Sequence, residues 1–518
     1  MKKVLLMFLM AVMMYCQPAA AANKGTILYI PMDNRPVCLD YSVQTMRAAG
    51  WDVKVPPREV IADADKNGDP EKMFMWLEDN MPESLAVVAS SDALLYGGLV
   101  ASRTHEIPPE VIKERAQKLL DLKKDYGNKL VYVFTTIMRS PKMSGAPVEP
   151  AYYEQWGSKL FRLGALEDKL EAKEINRREV RELAELRYAI PKDVLEDMYS
   201  RRHSNIKATE LLMHGVESGD FDYMLIGRDD TATYSQAHRE ARELDILVNE
   251  LPKERIRFFA GADQLGLLLL SRASTRLQYR LPFVNTVYAP GKAGKTIPSY
   301  EDDTVAVSAK HHIYAAGAIP VARNKEAELT LALNTPYDGV TLEASSAVND
   351  YTLTPETEKF TETLQNLLDA GKNVAVADIK YGNGADNALV STLFEQGDAY
   401  RLAAYSGWNT AGNSLGFALA QGLLSDMYAP GAKNELLSVR YLDDWAYQAN
   451  VRMRVYQELI WPQHWPNSGL DVQQTEAAEK RITKDIRELA EPLMGDSVQN
   501  YRFTLPWQRM FEVYVAEK

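Results

Sequence analysis

Short apolar runs alternate along this chain with longer segments whose apolar positions recur every three or four residues. Runs such as LAVVAS, LVYVFTT and VAVADI are apolar at successive positions, which suits parallel strands buried on both faces. The pattern predicts strands at 27–31, 52–55, 85–90, 130–136, 223–228, 256–260, 285–288, 319–322, 329–334, 374–378 and 401–405. Helices are predicted between them, among others at 109–124, 235–249 and 356–370. Alternation of this kind builds βαβ units and a mainly parallel sheet, so the fold class is α/β. These strands are too many for one eight-stranded barrel. The expected architecture is a (β/α) barrel-like body, similar to a TIM barrel, with extra strands. The alternative is two doubly wound, Rossmann-like lobes that part near 290–325.

Two stretches break the rhythm. Residues 153–217 carry the charged run EDKLEAKEINRREVRELAELRY and read as a helical insertion with a solvated face. Residues 434–518 form a helical C-terminal region whose aromatic tail, 501–515, is expected to pack back on the α/β body of 23–433. The first 22 residues have a different character. Lys2 and Lys3 precede an uncharged apolar run, 4–16, and the run Ala19 to Ala22 follows, which is the pattern of a secretory signal peptide. The apolar run is well short of the roughly 20 residues that a membrane span needs. The expectation is therefore export to the periplasm, the cell surface or the medium, without stable membrane insertion after cleavage. Met13, Met14 and Tyr15 before Cys16 do not resemble a lipoprotein signal.

Composition narrows the picture. With 46% hydrophobic and 25% charged residues, the chain is neither disordered nor fibrous. A formal charge of −12, or −14 once Lys2 and Lys3 are removed, argues against a nucleic-acid partner, which needs a basic face. Loss of Cys16 leaves Cys38 alone, so no internal disulfide, zinc cluster or redox pair can form. A nucleotide cofactor is not indicated either. GKAGKT lacks the leading glycine of a Walker loop, having Ala289 there, and YGNGADN has Asn387 where a dinucleotide loop needs a third glycine.

The chemistry collects at strand ends. Asp33 and Arg35 follow the first strand, Asp92 the third, and Arg139 lies just beyond the fourth. Asp229 and Asp230 follow the strand at 223–228, and Asp263 the next. Asp378, Asn383 and Asp386 follow VAVADI, while Trp408 and Asn409 lie in SGWNTAGNSLG. In parallel α/β folds the carboxyl ends of strands build the active site. Asp229 and Asp230 are the catalytic candidates. Adjacent carboxylates push one pKa up and so supply a proton donor beside an ionised neighbour. The competing role for them is capping of the next helix. Among the substrate-binding candidates, Arg35 could clamp an anionic group. Trp408 could stack on a sugar ring, and Asn383 and Asn409 could bind its hydroxyls. The remaining polar residues are expected to converge on the same pocket. No metal is required, although Asp92, Asp229, Asp263 and Asp378 would suit Mg²⁺ or Ca²⁺ if gathered.

Taken together, the blocks IPMDNRPV, SDALLYGGLVASR, GRDDT, YAPGKA, VADIKYGNGAD and YSGWNTAGNSLG resemble the signature of a bacterial family known as domain of unknown function 4127 (DUF4127). The resemblance spans nearly the whole chain after residue 22 and implies one integrated unit rather than joined modules. It implies no established activity. The arrangement of the candidate residues is also similar to barrel glycosidases acting on N-acetylated sugars, by analogy of sites only. The expected function is an exported hydrolase of a glycan or glycoconjugate. A metal-dependent amide or phosphoester hydrolase and a non-catalytic binding protein are the alternatives. The oligomeric state is not legible.

Overall fold

The computed structural model describes residues 23–248 and 251–518. The expected signal peptide, with Cys16, lies outside the described residues. Strands β1 (Thr26–Ile30), β2 (Asp52–Lys54), β3 (Ala86–Ser90), β4 (Leu130–Ile137), β5 (Tyr223–Arg228) and β6 (Ile256–Ala260) form one sheet. Its order is β2-β1-β3-β4-β5-β6, with every neighbouring pair parallel. The chain continues through β7 (Phe283–Tyr288), β8 (Ile319–Val321), β9 (Leu329–Asn334), β10 (Leu342–Glu343), β11 (Val374–Asp378), β12 (Tyr381–Gly382) and β13 (Ala404–Ser406). Five of these form a second parallel sheet in the order β13-β11-β9-β7-β8, and β10 pairs with β12 beside it. In both sheets the first strand lies between the second and third. Strand order therefore reverses next to β1 and next to β7, where open α/β sheets leave a crevice at their carboxyl ends.

The α/β class holds, but the expected barrel does not close. Both sheets are open, and the two-lobed alternative describes them. The lobes part between β6 and β7, at 261–282, upstream of the 290–325 expected. The reason is visible in the Leu265–Leu277 helix. Its sequence, LGLLLLSRASTRL, is apolar nearly all round, as a helix buried on several sides must be. It packs against β3 and β4 and also against the Ala411–Leu424 helix, which covers β11 and β13. Two sheets thus face each other across a shared helical layer, and one hydrophobic cluster runs from Ile27 in β1 through Leu268 and Leu419 to Val376 in β11.

Glycine sets the spacing in that layer. A Cβ at Gly412 would stand 2.5 Å from the carbonyl oxygen of Ala260, and one at Gly416 would stand 2.4 Å from Cγ of Gln264. The two glycines lie one helical turn apart, so they face the first lobe together. Further links cross the boundary at β5. Arg228 at its end pairs with Asp302, with Nε to Oδ2 at 2.5 Å, and with Asp303 at 3.0 Å.

Between β4 and β5, the helices Tyr153–Glu171, Arg177–Ala189 and Lys192–Ser218 build a small hydrophobic cluster of their own. Their charged residues pair across the outer face, as in Arg162 with Glu182 and Arg187 with Glu167. Beyond the second sheet, the Ala432–Arg440 helix runs on as a π-helix over Tyr441–Val451. The chain ends in an antiparallel hairpin of β14 (Tyr501–Thr504) and β15 (Tyr514–Glu517). This tail returns to the first lobe. The Val515 N–H donates to the Tyr41 hydroxyl at 3.1 Å, and Trp507 Nε1 donates to Asn34 Oδ1 at 2.7 Å. Among the described residues, no helix is long and apolar enough to cross a membrane.

Replacing Gly416 by alanine tests the close packing. In an ordinary helix interior the change stabilises by about 1 kcal/mol. Here the added methyl has no room, and we expect a loss of roughly 1–3 kcal/mol, read from the urea midpoint. A stabilised variant would contradict the contact.

Candidate functional site

The carboxyl ends of strands from both sheets open into one cavity of about 1200 Å³. The first lobe supplies Asp33, Arg35, Arg103, Arg139, Asp229, Asp230 and Asp263 to its wall. The second supplies Tyr300, Asn383 and Asn409, and the C-terminal region adds Arg452, Trp507, Arg509 and Phe511.

Two ion clusters organise the first-lobe wall. In one, the loop after β1 turns Arg35 back on Asp33, with Arg35 Nη2 to Asp33 Oδ2 at 2.8 Å and Nε at 3.0 Å from both carboxylate oxygens. The same Nη2 reaches Asp263, after β6, at 2.6 Å. Two carboxylates therefore share one guanidinium. Burial, with Asp33 nearby, raises the Asp263 carboxyl above the usual range. Cys38 lies against this cluster, 3.4 Å from Arg35 Nη2, and burial raises its thiol well above the ordinary value, so it is not a ready nucleophile.

In the second cluster, Arg103 pairs with Asp229, and Arg139 Nη1 pairs with Asp230 Oδ2 at 2.8 Å. Glu149, in the loop after β4, lies between the two guanidiniums, 2.6 Å from Arg139 Nε and 3.6 Å from Arg103 Nη1. Three carboxylates face two guanidiniums. The surplus falls on Asp230, whose carboxyl is raised by burial and by the charge of Asp229, against the pull of Arg139. Asp230 is also the more open of the pair, with its side chain 24% exposed against 10% for Asp229. Backbone geometry brings both carboxylates to one wall. Along a regular strand they would point apart, but Asp230 is left-handed, with φ of 39°. Neither caps the next helix. Ser235 does so, its hydroxyl accepting from His238 N at 3.0 Å.

The second-lobe wall is built on strained backbone. Among the described non-glycine residues with positive φ, Tyr300 (67°), Asn383 (58°) and Asn409 (60°) join Asp230 in this cavity. Such conformations cost of order 1–3 kcal/mol each and gather at functional sites. They lock together here. Asn383 N donates to Asn409 O at 2.8 Å, and Glu343 accepts from Asn383 Nδ2 at 2.8 Å and from the Tyr300 hydroxyl at 3.2 Å. Next to Tyr300, buried Glu301 accepts from Gly412 N at 2.8 Å, at the start of the Ala411–Leu424 helix. Burial pushes its carboxyl up to about 8, although the Gly412 hydrogen bond opposes this.

Of the twelve candidates, Asp33, Arg35, Arg139, Asp229, Asp230, Asp263, Asn383 and Asn409 line this one cavity. The other four do not. Asp92 is buried behind the wall, accepting from Thr136 N at 3.0 Å, with its carboxyl raised to about 7 by burial. Asp378 and Asp386 are corrected to structural roles. Asp378 accepts from the Tyr405 hydroxyl and Asp386 N, each at 2.7 Å, and from Asn334 Nδ2 at 2.8 Å. Asp386 caps the Asn387–Glu395 helix and pairs with Lys380 at 2.9 Å. Trp408 is corrected likewise. It is 2% exposed and stands edge-on to Phe511, so it offers no face to a ligand. The four aspartates considered as a metal set split for the same reason, Asp378 belonging to the second-lobe turn. Among the described residues, no group of three or more His, Cys, Asp or Glu side chains is placed to hold a metal ion.

Sequence reasoning missed Arg103, Glu149, Tyr300, Trp507 and Arg509, whereas Arg452, on the polar helix stripe Asp444, Gln448 and Arg452, was legible as a residue that could roof the pocket. Arg103 stands inside SDALLYGGLVASR, one of the blocks singled out, and was within reach. Trp507 and Arg509 arrive from the far end of the chain and carry no local signal.

Glu301 makes the stability of this wall depend on pH. From about pH 4.5 upward, the unfolded chain releases the proton that the folded chain keeps until about pH 8. Stability therefore falls as pH rises through this window and is flat above it, with a slope of at most about 1.4 kcal/mol per pH unit from this one group. Replacing Glu301 by glutamine should flatten that slope in urea titrations at pH 5 and pH 8. Asp92 contributes in the same direction and stays. An unchanged slope would exclude Glu301 as a source.

A family model described as "Protein of unknown function (DUF4127)" matches residues 27–516. No curated protein and no solved structure matches the chain. The one match runs from β1 to β15 and takes in both lobes, the insertion and the C-terminal tail, so the chain belongs to the DUF4127 family of proteins of unknown function.

Proposed function

We propose that the chain is an exported hydrolase of a glycan or glycoconjugate, with Asp230 as general acid. One observation carries the reading. Asp230 projects into the cavity from a left-handed turn at the end of β5, beside Asp229, with its proton affinity raised. A general acid needs that combination of access and a retained proton. Asp229, fixed by its ion pair with Arg103, faces the positive charge that develops at the anomeric carbon. The proton passes from Asp230 to the departing glycosidic oxygen as the C–O bond breaks. A water oxygen, or first an acetamido group of the substrate, bonds to the anomeric carbon. The proton released by the water returns to the carboxylates. Phe511, partly exposed in the cavity wall, takes the stacking place expected of Trp408. Asn383 and Asn409 offer donors and acceptors to hydroxyl groups.

A second reading, ligand capture without turnover, is favoured by the architecture. Two doubly wound lobes around a cleft serve binding as well as they serve catalysis. The pairing of each wall carboxylate with arginine gives less support to the metal-dependent alternative.

The discriminating experiment screens the protein against aryl glycosides and cell-wall oligosaccharides, beside the Asp230→Asn variant. We expect turnover that falls as pH rises through the raised titration of Asp230. The variant should lose about 10²–10⁴-fold in rate with an unchanged melting temperature. A fully active variant would exclude Asp230 as the acid. Saturable binding with no turnover on any substrate would favour the second reading.

A further inference from the structure

Most of the charges around the cavity stand in ion pairs, Glu343 of the second-lobe wall being held by Asn383 and Tyr300 instead. Arg35 is shared by Asp33 and Asp263, Arg103 and Arg139 are shared by Asp229, Asp230 and Glu149, and Arg509 is held by Glu512, with Nε to Oε2 at 2.6 Å. Each of the first two clusters has one carboxylate in excess, and in each of them one carboxyl is raised. Arg452 and Lys142 then remain as lining cations, and among the described residues neither makes an ion pair.

Lys142 is exposed at the rim, but Arg452 is partly buried and placed by the main chain. It follows directly on the π-helix Tyr441–Val451, and its N–H donates to Tyr447 O, five residues back. The wider turn puts residues five apart on one face. Gln448 Nε2 accordingly donates to Asp443 Oδ1 at 3.3 Å inside the core. Asp443 and Asp444 are both held by Arg440, at 3.1 Å each, and so are not available to Arg452. The Arg452 guanidinium instead lies 5.5 Å from the centre of the Phe511 ring. Arg509 lies at the same distance from that ring and 4.7 Å from the ring of Trp507. Desolvation lowers the proton affinity of Arg452 and outweighs the opposite pull of Glu343, Asp443 and Glu512, none of which is in ion-pair contact with it. Widened helical turns often occur at functional sites.

We infer that Arg452, with the partly exposed Phe511 ring, forms a subsite for an oxyanion carried on a sugar, so that the glycan bound in this cleft is an acidic one. The inference rests on the reading of the cleft as a glycan site and names its substrate class. An aromatic face accepts the apolar side of a sugar ring, and a guanidinium binds a carboxylate or phosphate through two parallel hydrogen bonds. A neutral sugar would leave the Arg452 guanidinium without an anion in contact.

The test is titration calorimetry of the full chain and of Arg452→Gln with three probes: D-glucose, D-glucuronic acid and D-glucose 6-phosphate. Wild type should bind at least one acidic probe about tenfold more tightly than glucose. Arg452→Gln should lose that preference, and Arg452→Lys should keep part of it. Tighter binding of the glucuronate or of the phosphate identifies which oxyanion the subsite takes. Equal affinity for all three probes in wild type overturns the inference, as does an acidic preference that survives in Arg452→Gln. Should Arg452→Gln not fold, competition of inorganic phosphate with the acidic probe on wild type decides, and lack of competition overturns the inference. Each of these results is independent of turnover. An Asp230→Asn variant that loses hydrolysis while wild type shows no acidic preference would sink the subsite and leave the hydrolase reading standing.

Discussion

Everything in this molecule is arranged around the close approach of two helices and a strand end at the middle of the fold. The Ala411–Leu424 helix lies against Ala260 and Gln264 because Gly412 and Gly416 present no side chain there. The contact brings the second sheet to a fixed distance from the first and points the carboxyl ends of β5, β6, β11 and β13 toward a common space. It also places the start of that helix, with Gly412 N, over Glu301, and so positions Tyr300 on the opposite wall of the cavity. Dense interiors transmit such constraints because they have few alternative packings. A methyl group at the helix contact would be felt at the site through Glu301 and Tyr300.

Within the cavity the governing quantity is the ratio of guanidiniums to carboxylates. Buried ions are tolerated when they are paired and hydrogen-bonded. Where carboxylates outnumber guanidiniums, one carboxyl holds its proton more strongly than usual, as at Asp230 and Asp263. The same accounting underlies the two proposals, Asp230 as a proton donor and Arg452 as a cation with no anion in contact.

Much of this was legible in the residues. Consecutive apolar runs such as AVVAS in β3 and VAVAD in β11 can only be strands covered on both faces, and they occur where expected. A charged residue at the end of such a strand has no core to enter, so the polar clusters after β1, β5 and β6 had to lie at a surface or line a cavity. The failures have a common cause. Asp378, Asp386 and Trp408 stand at strand ends too, but the tight turns there consume them. Asp378 collects donors from the Asp386 and Asn334 neighbourhood, and Trp408 is turned inward beside Phe511. Whether a strand-end residue faces the cavity or its own turn depends on φ at one or two positions, as at Asp230 and Asn409, and composition does not encode that angle.

By itself the sequence determined the main strands and helices, the α/β class, the family and most of the first-lobe wall, because apolar periodicity and the chemistry of short blocks are local properties. Tertiary structure alone decided that the strands form two open sheets rather than one barrel, since pairing partners are chosen by contacts between residues far apart in the chain. It alone carried Trp507, Arg509 and Phe511 from the C-terminal tail to Arg35 and Asp33 near the start. It alone matched each arginine with its carboxylates, because the energy of a buried charge depends on which opposite charge lies within a few ångströms of it, and not on its place in the sequence.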